Sequence, residues 1–175
     1  RRLKTERARQ SAPGGLMHFI RYFWKVLEPD QLFKEGWALE AMCLHLEAVH
    51  RGEMLRLLIN VSPGSMKSLL CNVFFPAWRW SAGGKPSSSF LAFAYSSVLT
   101  ERDNGKLLAL LQSREFLELW ARAFTLTEKG KIVVGNDKRG WKHASSVGGT
   151  STGLRADIVL LDDPHAINDA ESEVK

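Results

Sequence analysis

Apolar residues along the chain change their period several times, and each change marks an element. After a breaker cluster at Ser11 to Gly15, Leu16, Phe19, Ile20, Phe23, Trp24 and Leu27 recur at helical spacing until Pro29, which predicts a first amphipathic helix. Trp37, Ala41, Leu44 and Ala48 trace one stripe, and Leu39, Met42, Leu46 and Val49 an adjoining one. Together they predict a second, well-buried helix from about Trp37 to His50, ended by Gly52. Residues 55–61 are a short apolar run closed by Ser62, Pro63 and Gly64, which reads as a buried strand and a tight loop. From Lys67 the period is helical again through Leu69, Leu70, Val73 and Phe74, with Pro76 ending or kinking the helix. Residues 83–89 are a loop and 90–95 an all-apolar strand. Thr100 to Asp103 then reads as a capping signal for a helix through Leu107, Leu108 and Leu111. Strand, helix, strand, helix is the order of a parallel sheet.

Residues 124–147 carry shorter β segments, around 132–134 and near Trp141, separated by Gly130, Gly135 and Gly140. They read as a hairpin or meander inserted before the next core strand. That strand, 156–161, is strongly apolar and ends in Asp162, Asp163, Pro164 and His165. Acids at the carboxyl end of a buried strand lie where α/β sheets place their ligands.

Composition narrows the class. With 175 residues, 45% of them hydrophobic and 25% charged, the chain has a globular balance and length for one full core. Disordered, collagenous and coiled-coil chains are excluded. The net charge of +5 is local: Arg1, Arg2, Lys4, Arg7 and Arg9 oppose Glu6, so four of the five positive charges belong to residues 1–10. Such an end is either a solvated tail or an arm that touches phosphates or a partner. Asp157, Asp162, Asp163, Asp169, Glu171 and Glu173 make the other end acidic, a composition open to a metal site. Cys43 and Cys71, both in apolar-periodic stretches, read as buried thiols of a reducing compartment. No run approaches the roughly 18 apolar residues of a membrane span, and no signal-peptide core is visible, so a cytoplasmic chain without membrane contact is expected. His45 and His50 read as ordinary helix residues, since no partner stands at metal-ligand spacing.

The candidate chemistry sits at two places. A strand at 55–61, the loop at Pro63, Gly64, Ser65 and Met66, and a helix start at Lys67 and Ser68 have the layout of a phosphate-binding P-loop. In such a loop backbone N–H groups cradle phosphates, Lys67 reaches the β and γ oxygens, and Ser68 ligates Mg²⁺. Both glycines of the usual pattern are missing, their positions being Val61 and Met66, and an exposed lysine at a helix start is the plainer alternative. Roughly a hundred residues later, four apolar residues precede Asp162 and Asp163, the shape of a Walker B strand. There the first acid serves Mg²⁺ and the second the attacking water. A simple turn before Pro164 is the alternative for that pair.

The order of intervening segments carries a resemblance. Residues 45–49, then 57–68, then 75–78 resemble the start of the ATPase domain of tailed-phage terminase large subunits. Residues 146–154, followed by Ala156, Asp157 and Asp162 to His165, are similar to that family's approach to its Walker B strand. The resemblance spans roughly 35–170. It implies an α/β fold, a P-loop ATPase with an additional-strand type of parallel sheet flanked by helices, carrying an inserted β-hairpin. It divides the chain into a basic tail (1–14), an N-terminal helical segment (15–52) and an ATPase core (53–175). It also implies Mg²⁺-dependent ATP hydrolysis driving double-stranded DNA into a procapsid, in the host bacterial cytoplasm. The implied partners are a terminase small subunit, a procapsid portal protein and further copies in a homo-oligomeric ring.

By the same resemblance Lys67 and Ser68 take the phosphate and Mg²⁺ roles, Asp162 the metal role and Asp163 that of the catalytic carboxylate. Met66, in place of a glycine, must turn its side chain away from the phosphates. The family often carries an arginine finger where this chain has Thr152. Arg155 is the nearest substitute, against a surface pairing with Asp157, and Arg102 or Arg139 comes next if Arg155 plays no part. The chain stops at Lys175, before the family's further strands and nuclease domain, so a truncated sheet and no nuclease activity are expected. A hydrolysis-deficient nucleotide- or DNA-binding module is the alternative from a different class, and a helicase-like ATPase lacks a further motif. Lys129, Lys131, Lys138, Arg139 and Lys142 around Trp141 offer either a solvated hairpin face or a DNA-phosphate surface.

Overall fold

The computed structural model describes residues 15–148 and 153–164. The basic residues of 1–10, Thr152, His165 and the acids Asp169, Glu171 and Glu173 lie outside the described residues. The architecture is α/β, with a five-stranded mixed sheet flanked by helices.

Helix α1 (Gly15–Leu27) buries Leu16, Phe19, Ile20, Phe23 and Trp24, the face its period defines. Helix α2 (Trp37–Arg51) stops at Gly52, which adopts the left-handed φ of 83° suited to glycine. Only its Leu39, Met42 and Leu46 stripe is buried. Trp37, placed by its period on the other stripe, is 83% exposed. The buried Glu47 accepts the backbone N–H of Leu16 at 2.9 Å and so fastens α2 to the start of α1.

The helix that begins at Lys67 does not end at Pro76 but runs on past it, with an irregular turn just before the proline. Its parts are α3 (Lys67–Leu69), a π-helical turn (Leu70–Phe74) and α4 (Phe75–Trp80). Pro76 falls in the first turn of α4, where a missing N–H costs little. Residues 72–80 are all buried.

Strand β1 (Ser89–Ala94) pairs in parallel with both β4 (Trp141–Ser146) and β5 (Ile158–Leu161). Strands β2 (Leu126–Lys129), β3 (Val133–Asn136) and β4 form an antiparallel meander, so the order is β2-β3-β4-β1-β5. The meander expected before the last core strand is present, but it supplies three of the five strands, so the sheet is mixed and not parallel throughout. Helix α5 (Ser97–Gln112) packs on β1, β3 and β4. It starts before Thr100, whose hydroxyl donates to Ser97 O and Ser145 O instead of capping. Helix α6 (Arg114–Trp120) is unforeseen in the periodicity; Ser113 caps it by accepting the Phe116 N–H at 3.2 Å. One aromatic core joins these layers, from Phe19 and Phe23 through Phe116, Trp120 and Phe124 to Trp80 and Phe90.

The largest departure concerns 55–61, expected as a buried strand. The segment belongs to no strand of the sheet. Leu57, Ile59 and Val61 pack against the core, whereas Leu55 and Leu58 are 90% and 93% exposed. A cavity of about 480 Å³ separates it from β5, lined by Leu55, Leu57, Leu58 and Ile59 on one side and residues 158–162 on the other. An apolar run can be held by packing on one face alone, and pairing needs a neighbour that this segment lacks. Among the described residues, no helix is long and apolar enough to cross a membrane.

Candidate functional site

The loop at 62–66 turns through two left-handed residues, Gly64 at φ 82° and Met66 at φ 63°. Ser65 donates its N–H to Ser62 O at 3.3 Å, and Leu70 donates its own to Met66 O at 2.8 Å, which begins the helix. Methionine in this region carries a strain of about 1–2 kcal/mol, a cost that functional loops often hold. Met66 packs against the hydrophobic core.

Across the site, β5 delivers the two acids. The Asp162 N–H donates to Phe93 O at 2.8 Å, and Tyr95 N–H donates to Asp163 O at 3.2 Å, so both residues are fixed to β1 beyond the strand end. Asp163 is itself left-handed, at φ 45°. Lys67 closes the gap. Its Nζ lies 2.6 Å from Asp163 Oδ1, 96 positions away in sequence, and 3.2 Å from Asp162 Oδ1. The hydrogen bond to Asp163 holds the Lys67 ammonium above its ordinary pKa, with Asp162 adding to it and burial opposing.

Asp162 is the more enclosed acid, and its second oxygen accepts from Asn72 Nδ2 at 3.3 Å. Asn72, set by the π-helical turn and buried, leaves its Oδ1 without a partner among the described residues. Burial, with Asp162 nearby, pushes the Cys71 thiol up to about 12, which disfavours its thiolate.

Pro63, Gly64, Ser65, Met66, Lys67, Ser68 and Asp163 line one cavity of about 480 Å³, whose far wall is Arg102, Asp103 and Lys106 of α5. Asp162 lines the adjoining cavity beside β5. The sequence candidates thus converge, with one exception. Arg155 is exposed and lines neither cavity, and its alternative partner Asp157 instead accepts the N–H and hydroxyl of Ser89, at 2.8 and 2.9 Å.

The acid-rich end forms no group of three or more metal-ligating His, Cys, Asp or Glu side chains among the described residues. Ser68 and Asp162 are hard oxygen donors, the type that suits Mg²⁺ when phosphate oxygens and water complete the shell. Such a pair of carboxylates beside an ammonium can bind an anion and its cation together, the lysine turning from acid to anion.

Of the basic residues near Trp141, Lys142 must be withdrawn from any surface. It is 0% exposed, donates to Asn104 Oδ1 at 2.6 Å, and burial lowers its pKa to about 8. Lys129, Lys131, Lys138 and Arg139 remain exposed. Arg102, Asp103, Lys106 and Asn72 are the site residues that periodicity did not single out. For the three on α5 a signal existed, because the helix follows β1 at the same carboxyl end of the sheet as Asp162. No family model, no curated protein and no solved structure matches this chain.

Proposed function

We propose that this chain is an ATPase motor domain of the kind that drives double-stranded DNA into a viral procapsid. The supporting observation is the junction of Lys67 with Asp162 and Asp163, two motifs far apart in sequence meeting beside a tight loop where two cavities adjoin.

In this reading the left-handed turns at Gly64 and Met66 give a concave backbone for phosphate oxygens. Lys67 leaves Asp163 to meet the β and γ oxygens, replacing one anionic partner with another. Asp163, released, accepts a proton from the attacking water, which Asp162 cannot do while serving the metal. Mg²⁺, when bound through Ser68 and Asp162, supplies charge neutralisation of the phosphates. Asn72 holds Asp162 by one of its two oxygens. The resemblance, together with exposed Lys129, Lys131, Lys138 and Arg139, supports a grip on DNA phosphates without base reading. A portal protein, a small subunit and a ring of copies follow from the resemblance alone.

The test is nucleotide binding and hydrolysis, with and without DNA, by the chain and its Lys67→Ala variant. Wild-type binding and turnover that Lys67→Ala lowers at least tenfold, with unfolding unchanged, is the expected result. Binding without turnover on any DNA would leave the binding-only module, and equal activity in the variant would refute the loop assignment.

A further inference from the structure

The wall that faces Lys67 across the cavity is cationic. Arg102 and Lys106 stand about one turn apart on α5, and both line the space in front of the loop. Lys106 is committed elsewhere, its Nζ 2.6 Å from Glu28 Oε1. Arg102 is held more loosely. Its Nε and Nη2 converge on one oxygen, Asp103 Oδ1, at 3.1 and 2.9 Å, and the side chain is 55% exposed.

Asp103 is nearly inaccessible, and burial raises its carboxyl pKa while Arg102 and Lys142 lower it. Lys142, buried in the sheet and donating to Asn104 Oδ1, adds its charge to that of Arg102 in lowering the Asp103 pKa. Arg102 alone of the two lines the cavity, and its side chain is half exposed.

We infer that Arg102 reads the terminal phosphate of a bound nucleoside triphosphate from within the same chain, turning from Asp103 to the phosphate when it does so. The inference rests on the nucleotide-binding reading above and names a residue that reading does not use. Geometry favours this arginine over Arg155, which lines no part of the cavity. The inner phosphates belong to the loop and the helix start. The distal phosphate is the group left to meet α5. Guanidinium also suits the task, since its planar fork can engage two phosphate oxygens at once.

The experiment is calorimetric titration of the full chain with ATPγS and with ADP, each with Mg²⁺, for wild type, Arg102→Ala, Arg102→Lys and Lys67→Ala. Arg102→Ala should weaken ATPγS about tenfold or more and ADP less than about twofold, with Arg102→Lys between. Lys67→Ala should weaken both nucleotides. Equal affinities in wild type and Arg102→Ala, or equal losses for the two nucleotides, would overturn the role of Arg102 while leaving the nucleotide site standing. A wild-type chain that binds neither nucleotide would overturn the site itself. Mixing Arg102→Ala with Lys67→Ala chains should restore no tight ATPγS site, and restoration would place the arginine in a neighbouring chain.

Discussion

Replacing Asp163 with asparagine should tighten nucleotide binding while stopping hydrolysis. Lys67 Nζ is 2.6 Å from Asp163 Oδ1, and in the proposed reading this contact breaks when the ammonium meets a phosphate. The Asp163 side chain is 69% exposed, which places the pair among solvent-screened bridges worth about 0.5–1 kcal/mol. That energy opposes binding, so its removal corresponds to about two- to fivefold tighter affinity. The gain is bounded because Asp162 still holds Lys67 at 3.2 Å in the variant. Asparagine cannot take a proton from water, so turnover is lost in the same protein. Equilibrium titration with a fluorescent ATP analogue and Mg²⁺, at low and high salt, measures the effect, and the gain should shrink as salt screens the pair. Weaker binding in Asp163→Asn would refute the reasoning by showing that Asp163 ligates metal or nucleotide. Unchanged affinity at low salt would show that the ion pair does not restrain Lys67.

Two further outcomes concern stability. Gly140→Ala would set a Cβ 2.0 Å from the carbonyl oxygen of Pro86 and 2.6 Å from Asn136 Nδ2, so the β3–β4 turn must move; a loss of about 2–4 kcal/mol is expected in urea unfolding, and an unchanged midpoint would refute it. Burial, then the charges of Arg79, Lys85 and Arg51, push the His50 pKa from 6.5 down to about 4. The unfolded chain therefore takes up the proton first, and stability present above about pH 6.5 should be lost as pH falls towards 4. His50→Gln should flatten that part of the urea-midpoint profile, and an identical slope in the variant would exclude His50 as its source.

The helices were the most legible part of the chain, because α1 and the buried stripe of α2 write their contact faces in a simple period. The acids and Lys67 were legible for a different reason: charged residues at the ends of apolar runs have few structural uses. Pairing was not legible. Nothing in residues 55–61 distinguishes a strand with neighbours from an extended segment packed on one face, and nothing in residues 141–146 announces a parallel partner in β1. Arg102 was legible only as a fallback beside Arg139, since Thr100 to Asp103 also has the form of a helix cap. Lys142 was hidden by its charge, which suggests surface until Asn104 and the sheet enclose it.

The cavity beside β5 gives the site an uneven mechanical character. Asp162 and Asp163 are attached to β1 through backbone hydrogen bonds, and a ladder of that kind fixes strand spacing at about 4.8 Å and resists shear. Among the described residues the stem of the loop joins no ladder. It is seated by Leu57, Ile59 and Val61 on one face, and Lys67 and Asn72 link the helix behind it to the acids. The two halves of the site are thus held by different forces, backbone hydrogen bonds for the acids and side-chain packing with a few polar contacts for the loop.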